Sequence, residues 1–458
     1  MTTRYAMAVA FGAALAACSG GGSTNGNPGS GGNSGGSSGT GGVTGTAGAS
    51  GNPGAAGTTA GGGTAGSSAA GGQGAGAAGT AGATMTGGAS GGSNAAGRGG
   101  GSGEAGTAGH GAAGGSAGPG GAAGGAGGRA AFDRAAVMSI MRRVADYEIA
   151  RFGSGNDNGW VRAVFHTGML AAYRALGDTK YRDYTTQWGQ ANSWKLHSDS
   201  DGLRFADNQA CVQSYAELYL ANPVSQNDVM IAAAQTTFDG MVAAPMPGRT
   251  EWWWCDALYM APAALARVAQ ATGKTQYLTL MNNMFWDTKA YLYDPVQSLF
   301  WRDGTFLHTN TYWSRGNGWV VAGIARILEV LPATDSRRAD YETLLRQMAT
   351  KLASIQASDG FWRSSLTQPS AYTTPESSGT ALFCYGIAWG INHGVLDRAT
   401  FLPIVQKAWT ALGTAVTSQG RLGWVQAVGS KPGPSTMDST NDYATGAFLL
   451  AGSEVLEL

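Results

Sequence analysis

Charge is scarce in this chain. Of its 458 residues only 13% are Asp, Glu, Lys or Arg, and 29 basic side chains balance 29 acidic ones. A formal net charge of zero offers no basic footprint for a polyanion, so nucleic acid is not an expected partner. Cysteine is scarcer still, four in all, with no Cys-x-x-Cys and no paired spacing. That argues against a disulfide framework and against a structural zinc site. The five histidines are scattered, and residues 132–458 contain no His-Glu-x-x-His, Gly-x-Gly-x-x-Gly or Walker pattern. No metal or cofactor is therefore expected. An apolar run long enough to span a bilayer is missing too, the N-terminal run over 6–17 having the length of a secretory signal core.

That run follows Arg4 and ends in Leu15-Ala16-Ala17-Cys18, which resembles a bacterial lipoprotein box. The resemblance implies a signal peptide over 1–17, cleavage before Cys18, and acylation of its thiol and new amino group. The expected location is the cell envelope, lipid-anchored to the outer membrane or cell surface, and otherwise secreted. Residues 19–130 are nearly all Gly, Ala, Ser and Thr, with Arg98, Glu104 and Arg129 almost their only charges. Such a segment cannot bury enough apolar surface to offset its ordering entropy, so 18–131 reads as a disordered tether. Glycine recurs every third residue from Gly45 to Gly57, but the register then breaks and proline is scarce, which excludes collagen. As a Gly-rich coil it spans roughly 55–60 Å root-mean-square.

Residues 132–458 hold all fourteen tryptophans and are long enough for one large domain. The pattern there is helix after helix, repeating about every 50 residues. One helix of each pair is amphipathic and charged: 132–150, 178–195, 226–242, 274–291, 337–356 and 400–418. The next is apolar almost all round: 160–176, 208–221, 256–272, 316–331, 378–392 and 442–457. All-round apolar helices belong inside, and one-sided ones cover them. Six pairs joined by short connectors, such as Gly177-Asp178, Gly273-Lys274 and Asp397-Arg398, predict an all-α (α/α)6 barrel. A stacked α-solenoid is the other architecture compatible with the pattern.

In a closed ring the inner helices run the same way, so their N-termini share one end. Gathered there are Asn156-Asp157-Asn158, Asp207-Asn208-Gln209, Asp256, Arg315-Gly316-Asn317, Glu376-Ser377-Ser378 and Asn441-Asp442. Capping accounts for the Asp and Asn residues. It does not account for Arg315, whose charge opposes the helix dipole and calls for an anionic partner in protein or ligand. The connector 293–314, with Trp301, His308 and Trp313, reaches the same end. The richest stretch is 251–260, where three tryptophans run into Asp256. Indole faces stack on sugar rings, and a carboxyl among them is poorly solvated. Its pKa rises, so it can hold a proton near neutrality, as a general acid must. From that stretch alone, Asp256 reads equally well as a helix cap among core aromatics.

Trp313-Ser-Arg-Gly-Asn-Gly-Trp319, running on to Arg326, and Trp254-Cys-Asp-Ala-Leu-Tyr-Met-Ala-Pro262 closely resemble signatures of the unsaturated glycuronyl hydrolases of glycoside hydrolase families 88 and 105. Ala206-Asp-Asn-Gln-Ala-Cys211, Tyr291-Leu-Tyr-Asp-Pro295 and Glu376-Ser-Ser-Gly-Thr-Ala-Leu-Phe383 match in the same order. The likeness covers nearly all of 132–458 and is closest to the family 105 unsaturated rhamnogalacturonyl hydrolases. It implies an (α/α)6 barrel acting on oligosaccharides that end in the 4-deoxy-Δ4,5-uronyl residue left by a polysaccharide lyase. The implied reaction needs no metal. A carboxylic acid protonates C4, water adds at C5, and the sugar leaves as a keto acid.

The resemblance puts the acid/base aspartate on Asp256 and a second aspartate on Asp207, whose charge would resist co-ionisation and lift the pKa of Asp256. Trp313, Arg315 and Trp319 fall on residues that line the family's pocket. Arg315 suits the substrate carboxylate, with an internal salt bridge to Asp256 or Glu376 as its other reading. Trp254, His166 and His308 complete the substrate-binding candidates. Where family members carry His-Gly-Trp-Asp, this chain has Phe306-Leu-His-Thr-Asn-Thr-Tyr-Trp313, which leaves the role of His308 open. His166 also reads as a satisfied core histidine, and Glu376 as a cap. Two other functions remain: an inverting glycosidase on the same fold, with carboxylates about 6.5–9.5 Å apart, and a tethered glycan-binding protein. The expected partners are unsaturated uronyl oligosaccharides and, through Cys18, a membrane, with the domain itself a monomer.

Overall fold

The computed structural model describes residues 132–152, 157–221 and 227–458. The signal sequence, Cys18 and the Gly-rich tether lie outside the described residues.

Six helical hairpins follow one another. The first pairs α1 (Arg134–Phe152) with α2 (Trp160–Leu176). The second pairs α3 (Thr179–Ala191) with an inner helix broken into α4 (Ala206–Gln209) and α5 (Val212–Ala221). In the third, α6 (Val229–Ala243) and the single turn α7 (Gly248–Glu251) precede a second broken helix, α8 (Ala257–Met260) and α9 (Pro262–Thr272). The fourth joins α10 (Gln276–Leu292) to α11 (Ser314–Leu328) through a two-residue ribbon, β1 (Tyr293–Asp294) against β2 (Leu299–Phe300). The last two are α12 (Arg338–Ile355) with α13 (Ser377–Asn392), and α14 (Arg398–Thr414) with α15 (Asp442–Val455).

The two layers follow from the sequence pattern. Outer α12 buries Tyr341, Leu344, Leu345, Met348, Ala349 and Leu352, one stripe at helical spacing. Inner α11 is buried at every position from Ser314 to Leu328. Gly177 and Gly273 end α2 and α9 in the left-handed region, at φ 75° and 70°. Their N–H groups close onto the carbonyls of Tyr173 and Ala269, which is why the inner-to-outer connectors are so short.

Whether the array closes is decided by α2 and α15. Each inner helix packs on the next, from α2 through α5, α9, α11, α13 and α15, and α15 then packs back along α2. The array is a ring, and the solenoid is excluded. Closure depends on two glycines: a Cβ on Gly168 would meet the Gly446 carbonyl oxygen at 2.3 Å, and one on Gly446 would meet that of Val164 at 2.2 Å. Only side-chain-free backbone lets the first and last inner helices approach so closely.

The break between α8 and α9 also has a chemical cause. Pro262 brings no N–H and its ring crowds the turn before it. Ala261 keeps a right-handed helical backbone (φ −94°, ψ −44°), but the carbonyls before Pro262 lose their helical partners. Gln213 on α5 supplies replacements, its Nε2 donating to the oxygens of Tyr259 (2.8 Å) and Met260 (3.1 Å). Gly323 on α11 leaves room for this kink, since a Cβ there would lie 2.3 Å from the Leu258 oxygen. The displaced turn α8 rests against α4. The two broken inner helices thus bring Asp207 and Asp256 to one place. Cys211, Cys255 and Cys384 are all buried free thiols.

Candidate active site

Asp256 precedes α8 and is 8% exposed. It sits where a cap would sit, yet its side chain accepts no capping hydrogen bond. The Cys255 thiol lies 3.5 Å from Oδ2, and Arg302 Nε lies 3.7 Å from the same atom. The carboxyl is therefore almost unpartnered. Burial raises its pKa above the ordinary carboxylate value, while Arg302, Arg315 and the thiol pull it part of the way back.

Asp207, in the first turn of α4, keeps Oδ1 buried without a hydrogen-bond partner. Burial, then the charge of Asp256, pushes its pKa up to about 8, with Asp199 and Asp201 adding to the rise and Arg302 opposing it. The two aspartates cannot both ionise cheaply near neutrality. Such a pair shares a proton.

Glu376 behaves in the opposite way. Its carboxylate accepts from the N–H of Ser378 (2.9 Å) and of Gly379 (2.7 Å), capping α13. Of the two acidic residues that the sequence left between cap and catalyst, one caps and the other does not.

Arg315 does not pair with a carboxylate. Its Nη1 donates to the Gln426 carbonyl (2.8 Å) and to the Tyr443 hydroxyl, and its Nη2 to the carbonyl of Ala427 (2.9 Å). The guanidinium lies over Trp313 and Tyr443 and is 1% exposed. Its partners are neutral oxygens of a loop 111 residues away in sequence. Trp313 serves the same loop, with Nε1 donating to Gln426 Oε1 at 2.8 Å. Among the described residues Arg315 makes no salt bridge to Asp256 or Glu376, the internal alternative that the sequence offered. The Trp-Ser-Arg motif anchors the loop over the ring end.

Trp319 is wholly buried against Trp160, Tyr259 and Tyr443. Trp254 is buried and stacked on Phe205 at 4.6 Å. The indoles with open surface are their neighbours, half-buried Trp160 and Trp253, which is 40% exposed.

His166 is wholly buried, and its Nε2 has no hydrogen-bond partner among the described residues. It lies between α2 and α3, stacked on Trp188 at 4.0 Å, with Nδ1 3.1 Å from Thr185 Oγ1. That hydroxyl donates to the Tyr181 carbonyl, so it must accept from His166 Nδ1–H. Burial, with Arg162 nearby, pushes its pKa well down and keeps the ring neutral. His308 is exposed on the connector at φ 62°, edge-on to Trp301 at 5.2 Å.

The residue that sequence reasoning missed is Arg302. Segment 254–255 pairs with 302–303, Trp254 bridging to Asp303 and Cys255 N–H donating to the Arg302 carbonyl at 2.8 Å. This pairing sets the Arg302 side chain beside Asp256. Its Nη1 donates to Asp303 (2.7 Å), and its guanidinium lies 5.1 Å from the Trp253 ring. The one available signal was a cation directly after Trp301 in the long connector.

The sequence profile of the family described as Glycosyl Hydrolase Family 88 matches residues 133–458. This chain belongs to glycosyl hydrolase family 88. It is a glycoside hydrolase, as its similarity to curated relatives also indicates. One, from Formosa agariphila, is 34% identical over 328 residues, covering 65% of this chain and 84% of the relative, and is named an unsaturated 3S-rhamnoglycuronyl hydrolase. A second of the same name, from Alteromonas sp., is 32% identical over 68% of this chain and 84% of its own. Among solved structures, a family 88 glycosyl hydrolase from Bacteroides vulgatus superposes with a TM-score of 0.68 at 31% identity. It covers 71% of this chain and all of that one. The ring with its broken inner helices is thus the six-hairpin architecture of family 88.

Proposed function

We propose that this protein is an unsaturated glycuronyl hydrolase. It removes a terminal 4-deoxy-Δ4,5-uronyl residue from oligosaccharides that a polysaccharide lyase has made, of the rhamnogalacturonyl or related rhamnoglycuronyl class. The observation that carries this reading is the pair of buried, uncapped carboxylates, one of them raised to about 8 by burial and by the other. The names of the relatives from Formosa agariphila and Alteromonas sp. support the substrate class.

Asp256, holding the pair's proton, delivers it to C4. A C4–H bond forms from the C4=C5 π electrons, and the ring oxygen stabilises the cation left at C5. Asp256, now ionised, takes a proton from water as that water's oxygen bonds to C5. The C5 hemiketal then opens, C5 becomes a ketone, and the hemiacetal at C1 releases the neighbouring sugar with its hydroxyl. Asp207 keeps the pair from ionising twice. Trp253 and Trp160, the partly exposed indoles beside Trp254 and Trp319, suit the stacking of sugar rings. The Leu15-Ala16-Ala17-Cys18 sequence supports a place on the cell envelope, where products of extracellular lyases arrive.

The test follows the near-ultraviolet absorbance of the enol ether in a lyase-made unsaturated disaccharide. The protein is expected to abolish it, and Asp256→Asn to slow the loss by about 10³-fold. A flat trace across unsaturated uronides from folded wild type would overturn the reading. Absorbance that grows from an intact polysaccharide would make the protein a lyase.

A further inference from the structure

We propose that Arg302 is the residue that reads the substrate's carboxylate, and that in doing so it exchanges Asp256 for the substrate as its partner. The proposal rests on the unsaturated uronyl hydrolase reading of the site.

A uronyl substrate brings one fixed negative charge, on the carbon attached to C5, directly beside the double bond to be protonated. Whatever binds that carboxylate also fixes the distance from C4 to the acid. Arg315 is 1% exposed and has both terminal nitrogens of its guanidinium committed to Gln426, Ala427 and Tyr443, with only its Nε unpartnered among the described residues. Arg302 is the more accessible of the two, its side chain 17% exposed, and it lies beside Asp256. Asp303 holds Nη1 at 2.7 Å and the Trp253 face steadies the plane, so the guanidinium is oriented before a ligand arrives. Its Nε is buried and makes no hydrogen bond among the described residues. At 3.7 Å from Asp256 Oδ2 that nitrogen feels the carboxylate's charge without bonding to it. A buried donor without an acceptor, next to the proposed acid and under a half-open indole, suits a second carboxylate.

The exchange has a consequence for the proton. Asp256 faces Asp207 from α4, Arg302 and Asp303 from the connector after β2, Arg315 from α11, and its own neighbour Cys255. Asp207 faces Asp199 and Asp201 as well. In the free site Arg302 stabilises Asp256 as the anion, so the shared proton rests on Asp207. A substrate carboxylate bound to Arg302 cancels that positive charge where Asp256 sees it. The O–H bond on Asp207 then breaks as one forms on Asp256, and the acid is loaded only when a uronyl group is present. A neutral sugar would not load it.

The experiment uses the full chain with two substrates, the lyase-made unsaturated disaccharide and its uronyl methyl ester, against Arg302→Met and Arg302→Lys. Arg302→Met is expected to lower kcat/KM on the free acid by about 10²-fold. Its loss on the ester should be at least about tenfold smaller, with Arg302→Lys recovering part of the loss on the acid. In wild type the basic limb of kcat should lie at higher pH than that of kcat/KM, and Arg302→Met should merge the two. Equal losses on acid and ester, or unchanged kinetics on both, would overturn the proposal. The acid-to-ester ratio does not depend on how much of a variant folds, so a poorly folding Met variant still decides. Wild type that leaves both absorbances untouched would instead overturn the hydrolase reading itself.

Discussion

At one end of the ring Glu217 meets three guanidiniums, and at the other Asp207 meets a second carboxylate. Glu217 on α5 accepts from Arg174 (2.7 Å), from Arg267 (2.9 Å) and from Arg326. Arg174 and Arg326 lie in the last turns of α2 and α11, so this cluster is at the C-terminal end of the inner helices. Arg326 also donates to Gln213, the side chain that mends the kink before Pro262, and Arg267 also pairs with Glu329. Burial alone would raise Glu217, but the charges of Arg326, Arg174 and Arg267 outweigh it and hold the carboxylate well below its ordinary range. Asp207 and Asp256 are buried to a similar degree and shifted the other way. Burial does not by itself make a carboxylate catalytic. What separates the two ends is how much matching charge the surroundings supply. Glu217 has three guanidiniums, whereas Asp256 has only Arg302 at 3.7 Å and the more distant Arg315, at the end where we propose the chemistry occurs.

Removing one charge at each end breaks the comparison most sharply. Asp256→Asn is expected to cut turnover about 10³-fold while the melting temperature holds or rises, because the amide removes a destabilised charge. Glu217→Gln should do the reverse, costing about 3–5 kcal/mol of stability by leaving guanidiniums buried without their anion. Activity per folded molecule should survive. Thermal unfolding and initial rates on the same samples check both, and an Asp256→Asn variant that melts much earlier would erase the distinction.

A smaller effect tests the kink that links the two ends. Gly323→Ala sets a methyl against the Leu258 carbonyl and is expected to cost about 1–3 kcal/mol, read as a lower denaturation midpoint. The smallest effect is in the pH dependence of stability. Asp207 is raised in the fold, so its contribution is complete below the unfolded carboxylate pKa of about 3.9 and is lost as pH rises through about 8. Glu217 is lowered, so its contribution is present above the ordinary glutamate value and is lost as pH falls below it. Melting curves should therefore flatten on the alkaline side in Asp207→Asn and on the acid side in Glu217→Gln.

Much of the ring was legible because its signals are local. The all-round apolar stretch that became α11 and the one-sided stretch that became α12 differ residue by residue. Gly177 and Gly273 end their helices through bonds to carbonyls four residues back. Pro262 was visible too, though the break it forces in the inner helix was not foreseen. Asp207 and Asp256 were found through motif resemblance, which carries tertiary information that periodicity lacks. The contacts of Arg315 with its own loop, at Gln426 and Ala427, were not legible in the Trp-Ser-Arg motif. Arg302 escaped notice because what gives it meaning, Asp256, lies 46 residues earlier and meets it only when segment 254–255 pairs with 302–303.

By itself, then, the sequence determined which helices are inner and which outer, where they stop, and which aspartates to suspect. Hydrophobic periodicity and capping act within a few residues and need nothing from the rest of the chain. Tertiary structure alone decided that α15 closes on α2, that Arg302 comes to lie beside Asp256, and that Arg315 is held by the loop at Gln426 and Ala427. Each of these turns on a charge, a donor or a steric gap contributed by a distant segment. A side chain's protonation and partners are sums over everything folded around it, not properties of its place in the chain.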